Sequence, residues 1–344
     1  MKARIDFGRC GPFWSGGRDR VAGSCFPYQL DMTTLPHTVL AGQGLTTTKA
    51  PYIEEAVANG EMYIEQPYAL YSAENHDTWR RLYARMQERW ARYANRRFLD
   101  GLATLSFDAS QVPRLEDVNR FMEPRTGFKA KAVSGFVPAF DFFDCLSRRE
   151  FPTTITIRDG SSLDYLPEPD IFHDIAGHVP MHTDPAFAET LVRFGACAHL
   201  AAELVSSEPD RAERLRKLTS IQNALQRFFW FTIEFGLMRG EAPGDIKAYG
   251  SGLLSSYGEL VHSIESPLLQ RYPLQLEWVV NQHFEIDHFQ PLLFIVDDFD
   301  QLFELVGELE AWMKAGKLDN VTPGYRQMSE ADVQSFLTAS LARR

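Results

Sequence analysis

The stretch Phe228-Phe-Trp-Phe-Thr-Ile-Glu-Phe-Gly-Leu237 limits the fold of this chain more than any other. Lys217–Gly236 reads as one helix that begins amphipathic, with Ile221, Leu225, Phe228, Thr232 and Phe235 along one side. From Phe228 onward it is apolar around its whole circumference, the pattern of a helix that runs into a core. Glu234 is the one charge in that run. An ionised carboxylate among rings is costly unless it is paired or bound to a metal. Two readings of Glu234 are open: a buried acid bonded to an arginine or kept protonated, and a metal ligand.

A helix of this kind needs a large core, and the chain can supply one. Its 344 residues are 44% hydrophobic and include 25 Phe, enough for one core of the largest usual size. Wholesale disorder is excluded by the same composition. The net charge of −11 argues against nucleic acid and against an anionic membrane surface as partners. Apolar runs such as Pro291-Leu-Leu-Phe-Ile-Val296 fall far short of the ~20 residues a bilayer span needs. The first residues lack the apolar run of a signal peptide. Cys10, Cys25, Cys145 and Cys197 lie far apart with no C-x-x-C pair, so they read as reduced thiols and place the protein in the cytoplasm.

Along the chain, residues 1–49 read as an irregular extension rich in Gly and Thr. From about residue 77, Trp79, Leu82, Tyr83, Met86, Trp90 and Tyr93 form one apolar helix face, while Arg80, Arg81, Arg85, Arg89, Arg92, Arg96 and Arg97 form the other. With an acidic total, that basic face reads as solvated rather than as a nucleic-acid surface. Leu115–Met122 predicts a short helix and Phe151–Arg158, alternating and β-branched, one strand. Ala186–Ser206 predicts a five-turn helix, and Leu302, Leu305, Val306, Leu309 and Trp312 mark another. The expectation is a mainly α fold with a small β component (α+β), organised as one domain.

The densest chemical signal is Tyr165-Leu-Pro-Glu-Pro-Asp-Ile-Phe-His173-Asp-Ile-Ala-Gly-His178-Val-Pro180. On an unbroken α-helix a five-residue step turns roughly 140°, so the two imidazoles would diverge. Gly177 and Pro180 predict that the helix ends between them, which lets His178 swing back toward His173. Metal ligation and two core histidines, each hydrogen-bonded, both remain open for this pattern. The zinc-protease H-E-x-x-H is absent, because the spacing is five and Asp174 follows the first His. If Glu234 joins the two histidines, the set is the two-His, one-carboxylate triad of non-haem Fe(II) oxygenases. A structural zinc site would close with a fourth protein ligand.

Pro167–Pro180 resembles the iron motif of the tetrahydropterin-dependent aromatic amino acid hydroxylases, in their bacterial form. Trp230–Leu237, Ile246-Lys-Ala-Tyr-Gly-Ser-Gly-Leu-Leu-Ser-Ser-Tyr-Gly-Glu-Leu260 and Phe289-Gln-Pro291 resemble three further blocks of that family, in register from about residue 50 to about residue 305. The resemblance implies a catalytic domain over residues 50–315 and a C-terminal tail over 316–344 without a tetramerisation helix. It implies His173, His178 and Glu234 as ligands of Fe(II), with O2 as co-substrate and no side-chain general base. It implies Phe142 as the ring stacked on the tetrahydropterin, Gly135 and Val137 as backbone contacts to the pterin edge, and Asp174 near the pterin. A flat heteroaromatic needs such a face, and an aromatic side chain supplies one.

For the amino acid substrate the resemblance implies Arg158 on the carboxylate, with Asp170 orienting it and Ser255 as a further contact. A planar guanidinium suits this task because it grips both carboxylate oxygens. Pro169, Trp230 and Phe235 would hold the ring, and Gly252 and Ile286 would lie nearby. Gly250 and Gly252 do not form a phosphate loop, since no G-K-[ST] follows. Leu166 replaces a Thr of animal members and removes one polar contact. An apolar Ile286 offers a phenol hydroxyl no partner, at a cost on the order of 1–3 kcal/mol, which favours phenylalanine over tyrosine. The implied reaction is phenylalanine to tyrosine; the alternatives are 5-hydroxylation of tryptophan, 3-hydroxylation of phenylalanine and, in another class, a zinc hydrolase. The lack of an extension long enough for the regulatory domain of animal members, and of a tetramerisation helix, leads to the expectation of little substrate activation and a monomer or weak homodimer.

Overall fold

The computed structural model describes residues 44–323, apart from 48, 136, 165–168, 285 and 287. The expected extension over 1–49 and tail over 316–344 fall mostly outside these residues, as do Tyr165, Leu166, Cys10 and Cys25. Helix α1 spans Pro51–Ala58 and opens with proline, which suits the first turn. Helix α2 spans Ala73–Tyr93. Ser72 starts it with a reciprocal cap: its hydroxyl accepts from Asn75 N–H at 3.2 Å, and Asn75 Oδ1 accepts from Ser72 N–H at 3.0 Å. The predicted apolar face of α2 is buried. Its arginine face is not merely solvated. Arg80 and Arg81 pair with Asp77, Arg85 with Asp164 and Arg92 with Glu265.

Helices α3 (Arg96–Leu105), α4 (Leu115–Thr126) and α5 (Ala139–Ser147) follow, with β1 (Lys129–Val133) and β2 (Glu150–Thr154) paired in parallel. The strand expected over 151–158 stops pairing at Thr154. Beyond it the backbone is claimed by other groups: Ile155 O accepts from Tyr71 Oη, Ile157 N–H donates to Leu45 O, Thr156 O accepts from Ile171 N–H, and Arg158 N–H donates to Asp170. These bonds lead the chain toward the site described below.

A π-helical turn over Phe172–His178 runs into α6 (Val179–His182), followed by α7 (Pro185–Ser206) and α8 (Arg211–Phe229). The helix expected over 217–236 therefore starts earlier, because Asp210 caps the Ala212 and Glu213 N–H groups. It also changes character at Trp230, where a second π-helical turn spans Trp230–Glu234. Then come β3 (Leu237–Arg239), β4 (Ile246–Ala248), α9 (Ser251–Leu254), α10 (Tyr257–Glu265), β5 (Gln270–Pro273), α11 (Leu276–Val279), β6 (Leu292–Val296) and α12 (Phe299–Lys314). The second sheet has the order β4-β3-β6-β5. Helices dominate and the sheets are small, as the α+β expectation required. Cys145 and Cys197 are buried free thiols. Among the described residues no helix is long and apolar enough to cross a membrane.

The core reaches the site through rings. Phe172, next to His173, lies edge-on to Trp79 at 5.1 Å and stacked on Trp90 at 6.3 Å, both from α2. On the other side Phe151 of β2 packs on the His178 ring at 4.9 Å. The long helix and the small parallel sheet thus grip the histidine turn from two directions.

Candidate metal centre

His173 and His178 converge without a helix end between them, which corrects the expectation drawn from Gly177 and Pro180. The segment is a π-helical turn closed by Val179 N–H to Asp174 O, a five-residue step. In that geometry residues i and i+5 stack on one face, whereas an α-helix would splay them. Gly177 serves a different need. A Cβ there would stand 2.9 Å from Ser251 O and 3.2 Å from Ser255 Cβ, so only glycine lets α9 come this close. Gly250 does the same on the other side, where a Cβ would meet Glu234 O at 2.5 Å.

Glu234 arrives on the second π-helical turn, closed by Phe235 N–H to Trp230 O. His173 Nε2 and His178 Nε2 lie 3.1 Å apart, and Glu234 Oε1 lies 3.1 Å from His178 Nε2. Glu234 Oε2 is 3.5 Å from His173 Nε2. One ligand atom from each of the three residues falls within 4.8 Å of the others, and among the described residues no other His, Cys, Asp or Glu joins them.

The surroundings put His173 in ligand form and keep Glu234 ionised. Ser255 Oγ spends its hydrogen on Ser251 O at 2.8 Å, so it accepts from His173 Nδ1–H at 2.8 Å. That bond fixes the tautomer and leaves the Nε2 lone pair facing the other ligands. Burial lowers the His173 imidazole to about 4, against the pull of Glu234, so the ring is neutral at ordinary pH. Burial also works against the charge of Glu234, but His178, His173 and the Ser251 hydroxyl outweigh it and hold the carboxyl down to about 2. Ser251 Oγ bridges His178 Nε2 at 2.8 Å and Glu234 Oε2 at 2.7 Å. Two imidazoles and a carboxylate, with no fourth His, Cys, Asp or Glu joining them among the described residues, fit an open iron site better than a closed zinc site.

The other expected residues take the following places. Arg158 and Asp170 form a buried fork, Nε to Oδ2 at 2.8 Å and Nη2 to Oδ1 at 2.9 Å. Asp170 Oδ1 also accepts the His173 N–H at 3.0 Å, which ties the fork to the first ligand. Asp174 is buried and turned to β2, its Oδ2 accepting Thr154 N–H at 2.6 Å. Phe142 is partly buried, with its ring edge-on to Phe151 and Phe229. Gly135 lies between β1 and α5, where an added Cβ meets nothing within 4 Å; Val137 follows it, half-buried. Pro169 is exposed. Trp230 packs on Phe235 at 4.5 Å, and a Cβ on Gly252 would come within 2.7 Å of the Phe235 ring. Ser255 faces His173, and Ile286 is half-buried in the loop before β6.

Several residues escaped the sequence reading. Ser251 touches both His178 and Glu234, yet nothing in Gly250-Ser-Gly252 distinguishes it from a turn serine. Phe284 stacks on Trp230 at 4.2 Å, and Gln290 Oε1 accepts the Trp230 indole N–H at 3.2 Å. Both partners lie more than fifty residues from Trp230, beyond the reach of local pattern.

The fold and the triad define a mononuclear metal enzyme of the two-His, one-carboxylate type. The biopterin-dependent aromatic amino acid hydroxylase family matches residues 51–316, and this chain belongs to that family. The chain is 36% identical to the phenylalanine-4-hydroxylase of Chromobacterium violaceum over 241 residues, covering 70% of this chain and 75% of that protein. It is 37% identical to the tyrosine 3-monooxygenase of Rattus norvegicus over 239 residues, but these cover only 44% of that protein. The iron- and phenylalanine-bound crystal structure of the Chromobacterium violaceum phenylalanine hydroxylase superposes with a TM-score of 0.65 at 33% identity, covering 76% of this chain and 89% of that one.

Proposed function

We propose that this chain is a phenylalanine 4-monooxygenase that converts L-phenylalanine to L-tyrosine with O2 and a tetrahydropterin at an Fe(II) centre. The observation that carries the reading is the convergence of His173, His178 and Glu234, with Ser255 fixing the His173 tautomer and Ser251 donating to Glu234. When bound, iron and pterin supply the activation of O2 and two electrons, chemistry that belongs to the cofactors more than to the protein.

The side chains bind, orient and exclude water. Asp170 and Leu163 O take three of the five guanidinium N–H donors of Arg158, and the others are offered to the substrate carboxylate. Because Asp170 also bonds the His173 backbone, the distance from carboxylate grip to metal is held by one rigid unit. Trp230 and Phe235 form the wall for the substrate ring, and apolar Ile286 disfavours a phenol. Phe142 offers its face to the pterin, with Gly135, Val137 and Asp174 near it. Pro169, Gly252 and Ser255 complete the amino-acid side, Ser255 acting through His173. The working unit is a monomer or weak dimer in the cytoplasm.

The test supplies Fe(II), tetrahydropterin, O2 and an equal mixture of Phe, Tyr and Trp, and identifies products by mass spectrometry. Tyrosine from phenylalanine is the expected product; no hydroxylated amino acid from iron-loaded protein refutes the reading. Glu234→Ala should lower iron affinity at least about tenfold and abolish turnover. Unchanged iron binding in that variant removes Glu234 from the ligand set.

A further inference from the structure

Phe284 and Ile286 lie between Val280 and Gln290, and both of these ends are held by buried ionisable side chains. At the first, Arg227 Nη1 donates to Val280 O at 2.8 Å. At the second, Glu259 Oε1 accepts the Gln290 N–H at 2.9 Å. The two residues are only 4% and 2% exposed, and neither forms an ion pair among the described residues. Burial pulls the Arg227 guanidinium down to about 10. Burial also pushes the Glu259 carboxyl up to about 7, against the Gln290 N–H and the charge of His288.

A carboxylate is an expensive way to satisfy one backbone N–H. A glutamine would accept the same bond without the desolvation of a charge. The carbonyl oxygen of a protonated carboxyl accepts the same bond, so the contact holds in either state of the group. The bond leads directly to the ring wall, because the Gln290 side chain accepts the Trp230 indole N–H. Trp230 in turn lies between Phe284 and Phe235.

We propose that Glu259 is a positioning residue for the substrate ring: it fixes Gln290, Gln290 anchors the Trp230 indole, and the indole sets where the ring rests. The inference rests on the reading of Trp230 as a wall of the amino-acid site. Glu259 touches neither substrate nor metal and acts through two other residues.

Steady-state kinetics and calorimetric titration with L-phenylalanine test it in the iron-loaded protein. Glu259→Leu should raise both KM and Kd for phenylalanine about tenfold, the loss of one hydrogen bond, with iron content and the KM for pterin within about twofold of the parent. Glu259→Gln keeps the acceptor and should restore phenylalanine affinity to within about threefold. In a Trp230→Phe background, which lacks the indole N–H, Glu259→Leu should add less than about twofold, since the two act in one chain. Gln290→Leu, which removes the side-chain amide that meets the indole and keeps the backbone N–H, should reproduce the loss if Glu259→Leu does not fold.

Unchanged phenylalanine affinity in Glu259→Leu overturns the inference. So does an equal rise in the pterin KM, or the same tenfold loss in the Trp230→Phe background. Parent protein that binds phenylalanine but does not hydroxylate it counts against the hydroxylase reading alone, because the affinities still decide the role of Glu259. Parent protein that does neither overturns both.

Discussion

Asp170 and Glu259 are buried to nearly the same depth, 1% and 2% exposed, yet they end in opposite states. Burial would raise both. Asp170 is nevertheless held below the usual carboxylate range by the charge of Arg158 and by N–H groups of Arg158 and His173. Glu259 has one backbone N–H and the charge of His288, and burial wins. The number and charge of the donors, not the depth, decide which buried acid stays ionised. In this protein the lowered one pairs with Arg158 and accepts the His173 N–H, and the raised one accepts the Gln290 N–H.

The comparison breaks most violently at the paired acid. Asp170→Ala leaves the Arg158 guanidinium buried without its counter-charge and should cost about 3–5 kcal/mol in urea unfolding. Replacing both partners together, Arg158→Met with Asp170→Leu, should recover much of that stability while phenylalanine binding stays lost. A loss below about 1 kcal/mol in Asp170→Ala would show that the fork is solvated.

A smaller effect of opposite sign is expected at Glu259. Its carboxyl goes from an ordinary 4.5 to about 7 on folding, so the folded state favours the protonated form. The penalty is absent below the ordinary value, grows as pH rises, and is complete above 7, where it reaches about 3 kcal/mol. Glu259→Gln should therefore be more stable than the parent at pH 8 and no more stable at pH 4. Equal stabilities at pH 8 would mean that the Gln290 N–H compensates the charge. Asp170 has the reverse dependence: its contribution is full above the ordinary range and is lost as pH falls through its lowered folded value.

The smallest effect is expected between α7 and α12, where Arg193 forks onto Glu310 at 3.0 and 3.1 Å with both side chains partly exposed. Arg193→Ala should cost no more than about 1 kcal/mol, and less in high salt. A larger, salt-insensitive loss would reveal packing by the aliphatic stem, whose guanidinium lies over Phe303 at 4.7 Å.

Much of the helical frame was legible because its apolar faces repeat over many turns. Ala73–Tyr93, Pro185–Ser206 and Phe299–Lys314 all lie close to their expected spans. The strands of the second sheet, three to five residues long, carry too few alternations to register. His173, His178 and Glu234 stood out chemically, two by motif and one as a charge among rings. Their geometry did not, since an α-helical period was assumed where the chain uses a wider turn. Ser251, Phe284 and Gln290 were invisible for a different reason. Each gains its meaning from a partner distant in sequence, and neither composition nor spacing records such pairings.

Those two wider turns have a genetic corollary. A π-helical turn accommodates one residue more than the α-helical turn it replaces, so each metal-bearing segment can be viewed as a helix with a single-codon insertion. Removing one residue between His173 and His178 would return the backbone to the commoner helix with the two histidines four apart, a spacing that still sets them on one face. The extra residue is therefore what lets a five-residue spacing keep the shared face, rather than what makes the two rings converge.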